Sequence, residues 1–282
     1  MYRFPFSEAP VAGEMTEIVP GIMWFRFPLP YQLDHVNIYL LEDGDGWCVL
    51  DAGIHDERTV DLWKSVVSGV LHGSRLTRLI VTHHHPDHIG AAGWLCREAS
   101  IPLLTSQTAY LTCANLALDP GWPQDRQFHD FYQSHGMAPE IVGRLGTNGL
   151  EYLRKVSPLP STFLRLLSGD TLKIGSRTFR VLTGDGHAPE QVMLYCEEDR
   201  LFFSADQVIA KISPNVSVWP NEPDGDPLSH FLRTTRQLRD NMPDDVLVLP
   251  GHQLPFYGLH ERCNELVKHH EHRCALIGEA CA

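Results

Sequence analysis

The stretch Leu79-Ile80-Val81-Thr82-His83-His84-His85-Pro86-Asp87-His88-Ile89-Gly90 decides how the rest of the chain reads. A short apolar run with the character of a buried strand ends at Val81, and four histidines and an aspartate follow within six positions. Imidazole and carboxylate are the usual ligands of borderline divalent metals. In a tight loop leading into a helix, His83 and His85 can face one point while Asp87 and His88 face a second point nearby. A solvated polar loop accounts for one or two histidines at such a place. It is the weaker reading for a whole HxHxDH run.

Outward from this stretch the chain alternates strand and helix. Upstream, residues 17–19, 22–27, 37–42 and 47–50 are short β-favouring runs broken by Pro20-Gly21 and Gly44-Asp45-Gly46 turns. Residues 60–70 have helical apolar spacing, 79–81 read as a strand, 89–98 as a helix and 102–105 as a strand, which is an α/β pattern. Residues 106 to about 160 differ. They are rich in Leu, Tyr, Phe and Gly, and they read as two or three helices separated by Asp119-Pro120-Gly121 and residues 136–139. Strands resume at 171–174, 178–182, 192–196 and 201–203. A helix is expected over 226–240, with Asp226 as N-cap before Pro227, then a buried strand at 246–249 and a terminal helix over 259–277. The two strand-rich halves are alike in plan, so we expect two packed ββα layers in one domain spanning residues 1–282, with a helical insertion at about 106–160.

Composition bounds the function. The 282 residues are 43% hydrophobic and 21% charged, as in globular proteins. No apolar run approaches the roughly 20 residues of a membrane span, and the start MYRFPFSEAPVAGEM has no apolar core of a secretory signal. Lys and Arg total 23 against 35 Asp and Glu, a net charge of −12 that disfavours nucleic acid. Seven scattered cysteines form no CxxC pair, so reduced structural thiols and a cytoplasmic location are expected.

Four further short segments can be set beside the histidine run: Val49-Leu50-Asp51-Ala52-Gly53, Gly184-Asp185-Gly186-His187-Ala188-Pro189, Leu201-Phe202-Phe203-Ser204-Ala205-Asp206 and Val248-Leu249-Pro250-Gly251-His252. Alone, His187 reads as a turn histidine. Asp206 follows an apolar run where an unpaired carboxylate is costly to bury and a cation would compensate it. Asp51 and His252 also end apolar runs, at the strand ends where such folds place their chemistry. Together the five segments resemble, in order, the DTG, THxHxDH, GHTPG, LFSGD and PGHG elements of the metallo-β-lactamase superfamily, across residues 16 to about 258.

That resemblance implies an αββα sandwich of two mixed β-sheets flanked by helices. It also implies a dinuclear metal set: His83, His85 and His187 on one ion, Asp87, His88 and His252 on the other, and Asp206 bridging both. Asp51 would orient ligands rather than bind metal. Two divalent ions are implied, zinc by default, with iron or manganese also suited to the carboxylate bridge. The implied activity is hydrolysis by a metal-bridging hydroxide, with Asp87 as the catalytic residue that accepts its hydrogen bond.

Departures from subfamilies narrow the substrate. Asp206 supplies the bridging aspartate that zinc β-lactamases lack. The triple histidine resembles glyoxalase II, a thioester hydrolase. Yet residues 207–220 replace its glycine- and cysteine-rich stretch, and its basic C-terminal glutathione-binding residues are not recognisable. No tyrosine of the lactonase type lies between Gln207 and Asn221. We therefore expect a small-molecule thioester, ester or lactone with an apolar portion, with no nucleic-acid or membrane partner. The alternatives are a phosphodiesterase or ribonuclease on the same fold, or a mononuclear iron sulfur dioxygenase. Asn215 and Trp219 read either as substrate contacts or as parts of a packed connecting loop. Trp122, Phe128, Phe131 and Tyr132 read either as a pocket roof or as ordinary helix packing. His269, His270 and His272 read as a solvated helix end.

Overall fold

Tight turns make the first strands pair with their neighbours. Gly21 and Gly44 have φ of +77° and +70°, conformations that glycine adopts without steric cost. They join β1 (Met15–Val19) to β2 (Ile22–Pro28), and β3 (His35–Asp43) to β4 (Gly46–Leu50), in an antiparallel meander. A crossover then reverses the pattern. Helix α1 (Glu57–Ser65) starts at Asp56, whose side chain accepts from Thr59 N at 2.8 Å, and runs into a π-helical turn (Val66–Val70). The chain returns as β5 (Arg75–Ile80), parallel to β4. Helices α2 (Pro86–Ile89) and α3 (Ala92–Ala99) lead to β6 (Leu103–Thr105), again parallel. Helices α4 (Gln107–Leu118), α5 (Arg126–Ser134) and α6 (Pro139–Leu145) precede the short β7 (Leu164–Arg165). The result is a mixed seven-stranded sheet in the order β1 to β7.

The second sheet has the order β12-β11-β10-β9-β8. Strands β8 (Thr171–Ile174), β9 (Arg177–Gly184), β10 (Gln191–Cys196) and β11 (Leu201–Ala205) are antiparallel. Helix α7 (Pro227–Asn241) crosses to β12 (Leu247–Pro250), parallel to β11, and α8 (Leu259–Ala280) follows. These elements come from a computed structural model that describes residues 2–118, 125–145 and 152–282. The expected turn at Asp119-Pro120-Gly121 and the residue Trp122 lie outside the described residues.

Three apolar layers hold the sheets and helices together. Trp24, Tyr39, Leu50 and Ile80 of the first sheet pack against Phe179, Val192, Leu194 and Phe203 of the second. Leu40, Val49 and Leu79 turn to the other face, against Trp63 of α1 and Leu95 of α3. Phe202 and Val248 meet Phe231 of α7 and Leu266 of α8 on the outside of the second sheet. Helix, sheet, sheet and helix are thus stacked, as the αββα expectation required. No helix among the described residues is long and apolar enough to cross a membrane.

Local differences from the sequence reading have identifiable causes. The helix expected over 89–98 is divided at Gly90 and Ala91. There Ala91 N donates to Gly53 O, and Gly90 O accepts from Ser157 N and Ser157 Oγ, so the backbone is tied to segments distant in sequence. A Cβ on Gly90 would strike the carbonyls of Pro86, Lys155 and Gly53. Strand β7 has no counterpart in the sequence reading, because two residues carry no readable alternation.

Asp226 caps α7 as expected, accepting from Ser229 N at 3.0 Å. Replacing it by Ala should cost about 1 kcal/mol in urea unfolding, while Asn should retain most of the cap. Equal losses for the two variants would remove the capping role.

Candidate metal centre

The polar residues of interest all sit just beyond strand ends. Asp51 follows β4, the Thr82–His88 run follows β5, His187 follows β9, Asp206 follows β11 and His252 follows β12. The two sheets are stitched at this edge: Val192 N at the start of β10 donates to Thr82 O at 2.8 Å. Glycines permit the close approach. A Cβ on Gly251 would collide with Asp206 Oδ1 and the His88 ring, and one on Gly186 (φ +103°) would collide with Phe231 of α7.

All seven side chains expected as ligands meet here. Donor atoms of His83, His85 and His187 lie within 4.8 Å of one another, as do those of His83, His88 and Asp206, and those of Asp87, His88 and His252. Asp206 Oδ2 stands 3.2 Å from His252 Nε2, 3.3 Å from His187 Nε2 and 3.6 Å from His88 Nε2. Asp87 Oδ2 is 3.3 Å from His252 Nε2 and 3.5 Å from His88 Nε2. His83 Nε2 and His85 Nδ1 approach to 3.0 Å.

The far side of each ring explains why Nε2 is the free donor. His88 Nδ1 donates to Asp51 Oδ2 at 2.8 Å, His187 Nδ1 to Asn215 O at 2.9 Å, and His252 Nδ1 to His35 O at 2.7 Å. An acceptor at Nδ1 fixes the proton there and leaves the Nε2 lone pair directed at the centre. Asp51 also accepts from Thr82 N at 2.8 Å and Thr82 Oγ1 at 2.9 Å, so it orients this loop as the sequence implied. The Nε2 atoms of His88 and His187 and the Oδ1 of Asp206 are buried with no hydrogen-bond partner. Buried polar atoms normally find partners. Unpartnered lone pairs on clustered His and Asp side chains fit a cation.

The electrostatics divide the cluster. Burial pushes His83 and His85 well below the ordinary imidazole value, assisted by the rings of His88 and His187 respectively, and a neutral ring is the ligand form. Burial acts the same way on His88, but Asp87, Asp206 and Asp51 outweigh it and hold the ring well above that value. For His252 burial is likewise outweighed, by Asp206 and then Asp87, and the ring is pushed up to about 10. Burial opposes ionisation of both carboxylates. The rings of His252 and His88 nevertheless hold Asp206 well below the usual range, and His88 with His252 does the same for Asp87.

His84 enters none of these three groups, although its ring lies 4.8 Å from that of His85. It is only 8% exposed, burial drives it down to about 4, and its backbone oxygen accepts from Tyr152 Oη at 2.8 Å. Asn215 is exposed and reaches the cluster through its carbonyl. Trp219 is 45% exposed. Phe128, Phe131 and Tyr132 pack on one another, with ring centroids 4.9 and 5.2 Å apart. The solvated reading of the late histidines needs a correction at His270. It is part-buried, with Nε2 3.2 Å from Ser213 Oγ and its ring 5.4 Å from Phe231, while His269 and His272 are exposed as expected. Sequence reasoning assigned no role to Thr82, His35 or Tyr152. His35 works through its backbone carbonyl, which has no side-chain signature, and Tyr152 through its hydroxyl on the His84 carbonyl, a pairing that no spacing encodes.

The profile of the metallo-beta-lactamase superfamily matches residues 31–252. A beta-lactamase domain protein from Burkholderia ambifaria is 35% identical and superposes with a TM-score of 0.87, over 100% of this chain and 84% of that one. The Bacillus subtilis (strain 168) protein named "Probable metallo-hydrolase YqjP" is 26% identical over 241 residues, 83% of this chain and 72% of that protein. A hydroxyacylglutathione hydrolase of Rhodopseudomonas palustris (strain BisB5) is 23% identical over 138 residues, which is 49% of this chain and 36% of that protein.

Three substitutions test the geometry. Asp51→Asn should weaken metal affinity roughly 10–100-fold, the usual cost of losing an orienting partner. Asp206→Ala should lower metal content and turnover further, and further than His84→Ala. Equal losses for Asp206→Ala and His84→Ala at saturating metal would remove Asp206 from the centre of the cluster.

Proposed function

The chain belongs to the metallo-β-lactamase superfamily, and on that footing we propose that it is a dinuclear metal-dependent hydrolase of a small-molecule thioester, ester or lactone. The observation that carries this reading is the approach of three imidazole Nε2 atoms to a single Asp206 oxygen, with orphaned buried atoms beside it. His83, His85 and His187 would hold one ion, Asp87, His88 and His252 the other, and Asp206 both.

Two divalent cations there, zinc by the donor set with iron or manganese also suited, would supply Lewis acidity to polarise a carbonyl and activate water near neutral pH. The chain's own residues do the rest. Asp87 is the more exposed carboxylate, its side chain 18% accessible against 6% for Asp206. Its carboxylate would accept a hydrogen bond from the attacking water. Asp51, Asn215 and His35 keep the three rings oriented through their Nδ1 atoms. The partial likeness to a hydroxyacylglutathione hydrolase supports a thioester. The net charge of −12 speaks against a phosphodiester. Seven unpaired cysteines support a reducing, cytoplasmic setting.

Metal analysis and a substrate panel test the reading together. The expectation is two metals per chain and turnover of an acyl thioester, ester or lactone above that of a β-lactam or phosphodiester. One iron per chain with oxidation of a thiol substrate would overturn it. In the same assay Trp219→Ala should lower kcat/KM severalfold at unchanged metal content and little change in Tm, because the side chain is already half exposed. A lowered Tm with unchanged kinetics per folded molecule would mean that Trp219 only packs.

A further inference from the structure

The residue after His252 is held in a conformation that its side chain resists. Gln253 has φ +66°, in the left-handed region that favours glycine, and glycine is what the PGHG element carries at this position. Four hydrogen bonds hold it there. Its oxygen accepts from Arg26 Nη2 at 3.1 Å and Asn37 Nδ2 at 2.8 Å. Its N–H donates to His35 Nε2 at 2.8 Å, and its Oε1 accepts from Lys211 N at 2.9 Å. These bonds bring Arg26 and Lys211 to the lining of one cavity of about 200 Å³, which Phe4, His35, Gln253 and Leu254 also line.

Two cations thus share a cavity without a counter-ion from the described residues of this acidic chain. Arg26 is half-buried and its Nε is buried with no partner. Lys211 is exposed and its Nζ lies 5.2 Å from the Phe4 ring centroid. Neither enters an ion pair with a described residue. The carboxylate that acts on Arg26 is Asp34, and it is engaged by His35 Nδ1 at 2.7 Å. The cavity adjoins the metal centre, because the His35 backbone oxygen is the acceptor for His252 Nδ1.

We propose that this cavity is a carboxylate-binding subsite, which takes the anionic end of a small molecule whose apolar body lies against Phe4 and Leu254. A planar guanidinium matches a carboxylate, a nearby ammonium adds a second charge, and apolar walls strengthen both. Identifying that molecule as a substrate rests on the hydrolase reading above; the binding itself does not.

The test is calorimetric titration of the metal-loaded protein with phenylacetate, and with phenylacetamide as the neutral counterpart. The acid should bind and the amide should not, and binding should weaken as salt rises. Arg26→Gln should weaken it about tenfold, the worth of one charge-assisted hydrogen bond. Lys211→Ala, at an exposed position that the fold does not need, should weaken it severalfold and carries the test if Arg26→Gln fails to fold. Equal affinity for acid and amide, or indifference to both substitutions, would overturn the subsite. Displacement by inorganic phosphate at lower concentration than by acetate would overturn the carboxylate assignment. Paired thioesters with and without a terminal carboxylate separate the two readings: KM for the acidic one alone should rise in Arg26→Gln. Titration as expected without turnover of any ester sinks the hydrolase reading and leaves the subsite standing. Turnover without acid-selective titration does the reverse.

Discussion

Asp206 follows β11, a strand buried along its whole length, with Oδ2 3.2–3.6 Å from three imidazole nitrogens and Oδ1 buried without a partner. A carboxylate in such a place is tolerated only where positive charge meets it. No single segment supplies the ligands that would hold a cation there. His88 arrives from the first sheet, His187 from the end of β9 and His252 from the end of β12. The two sheets must therefore be packed in one register before the carboxylate is compensated, which ties the chemistry to the whole sandwich rather than to one loop.

Backbone strain gathers around the same point. Asp51, Ala205 and Gln253 have φ of +65°, +47° and +66°, and each lies in or beside a segment of the cluster. Such conformations persist where surrounding bonds over-determine them. Asp51 holds Thr82 and His88 with three hydrogen bonds, and Gln253 is held by Arg26, Asn37, His35 and Lys211. The strain fixes side-chain directions that relaxed backbone would not give.

Remote elements steady the loops from outside. Arg262 of α8 donates through Nε to Ile209 O and through Nη2 to Ile212 O, which anchors the segment after Asp206. His270, two turns further along α8, meets Ser213 ahead of the Asn215 carbonyl that orients His187. Tyr152, from within the helical insertion, ties itself to the His84 carbonyl inside the histidine run. A terminal helix and an insertion that carry none of the clustered donors thus bear on where those donors point.

The sequence alone determined the ligand-type residues and the plan of the fold. Five ligand-type side chains fall within six positions, and single His or Asp residues follow apolar runs. Polar groups at buried strand ends need compensation, which a cation would supply. The runs themselves gave most strands within a few residues, since periodicity and turn residues are local properties. Only the tertiary structure decided how the donors are aimed. The acceptors behind His187 and His252 are backbone carbonyls of Asn215 and His35, which any residue type could supply. The break of a helix at Gly90 came from contacts with Gly53 and Ser157, distant in the chain. The cavity beside His252 joins Phe4, Arg26, Lys211 and Gln253, whose proximity no spacing encodes. Residue types fix what a site can bind, but hydrogen-bond direction and burial depend on neighbours that only folding brings together.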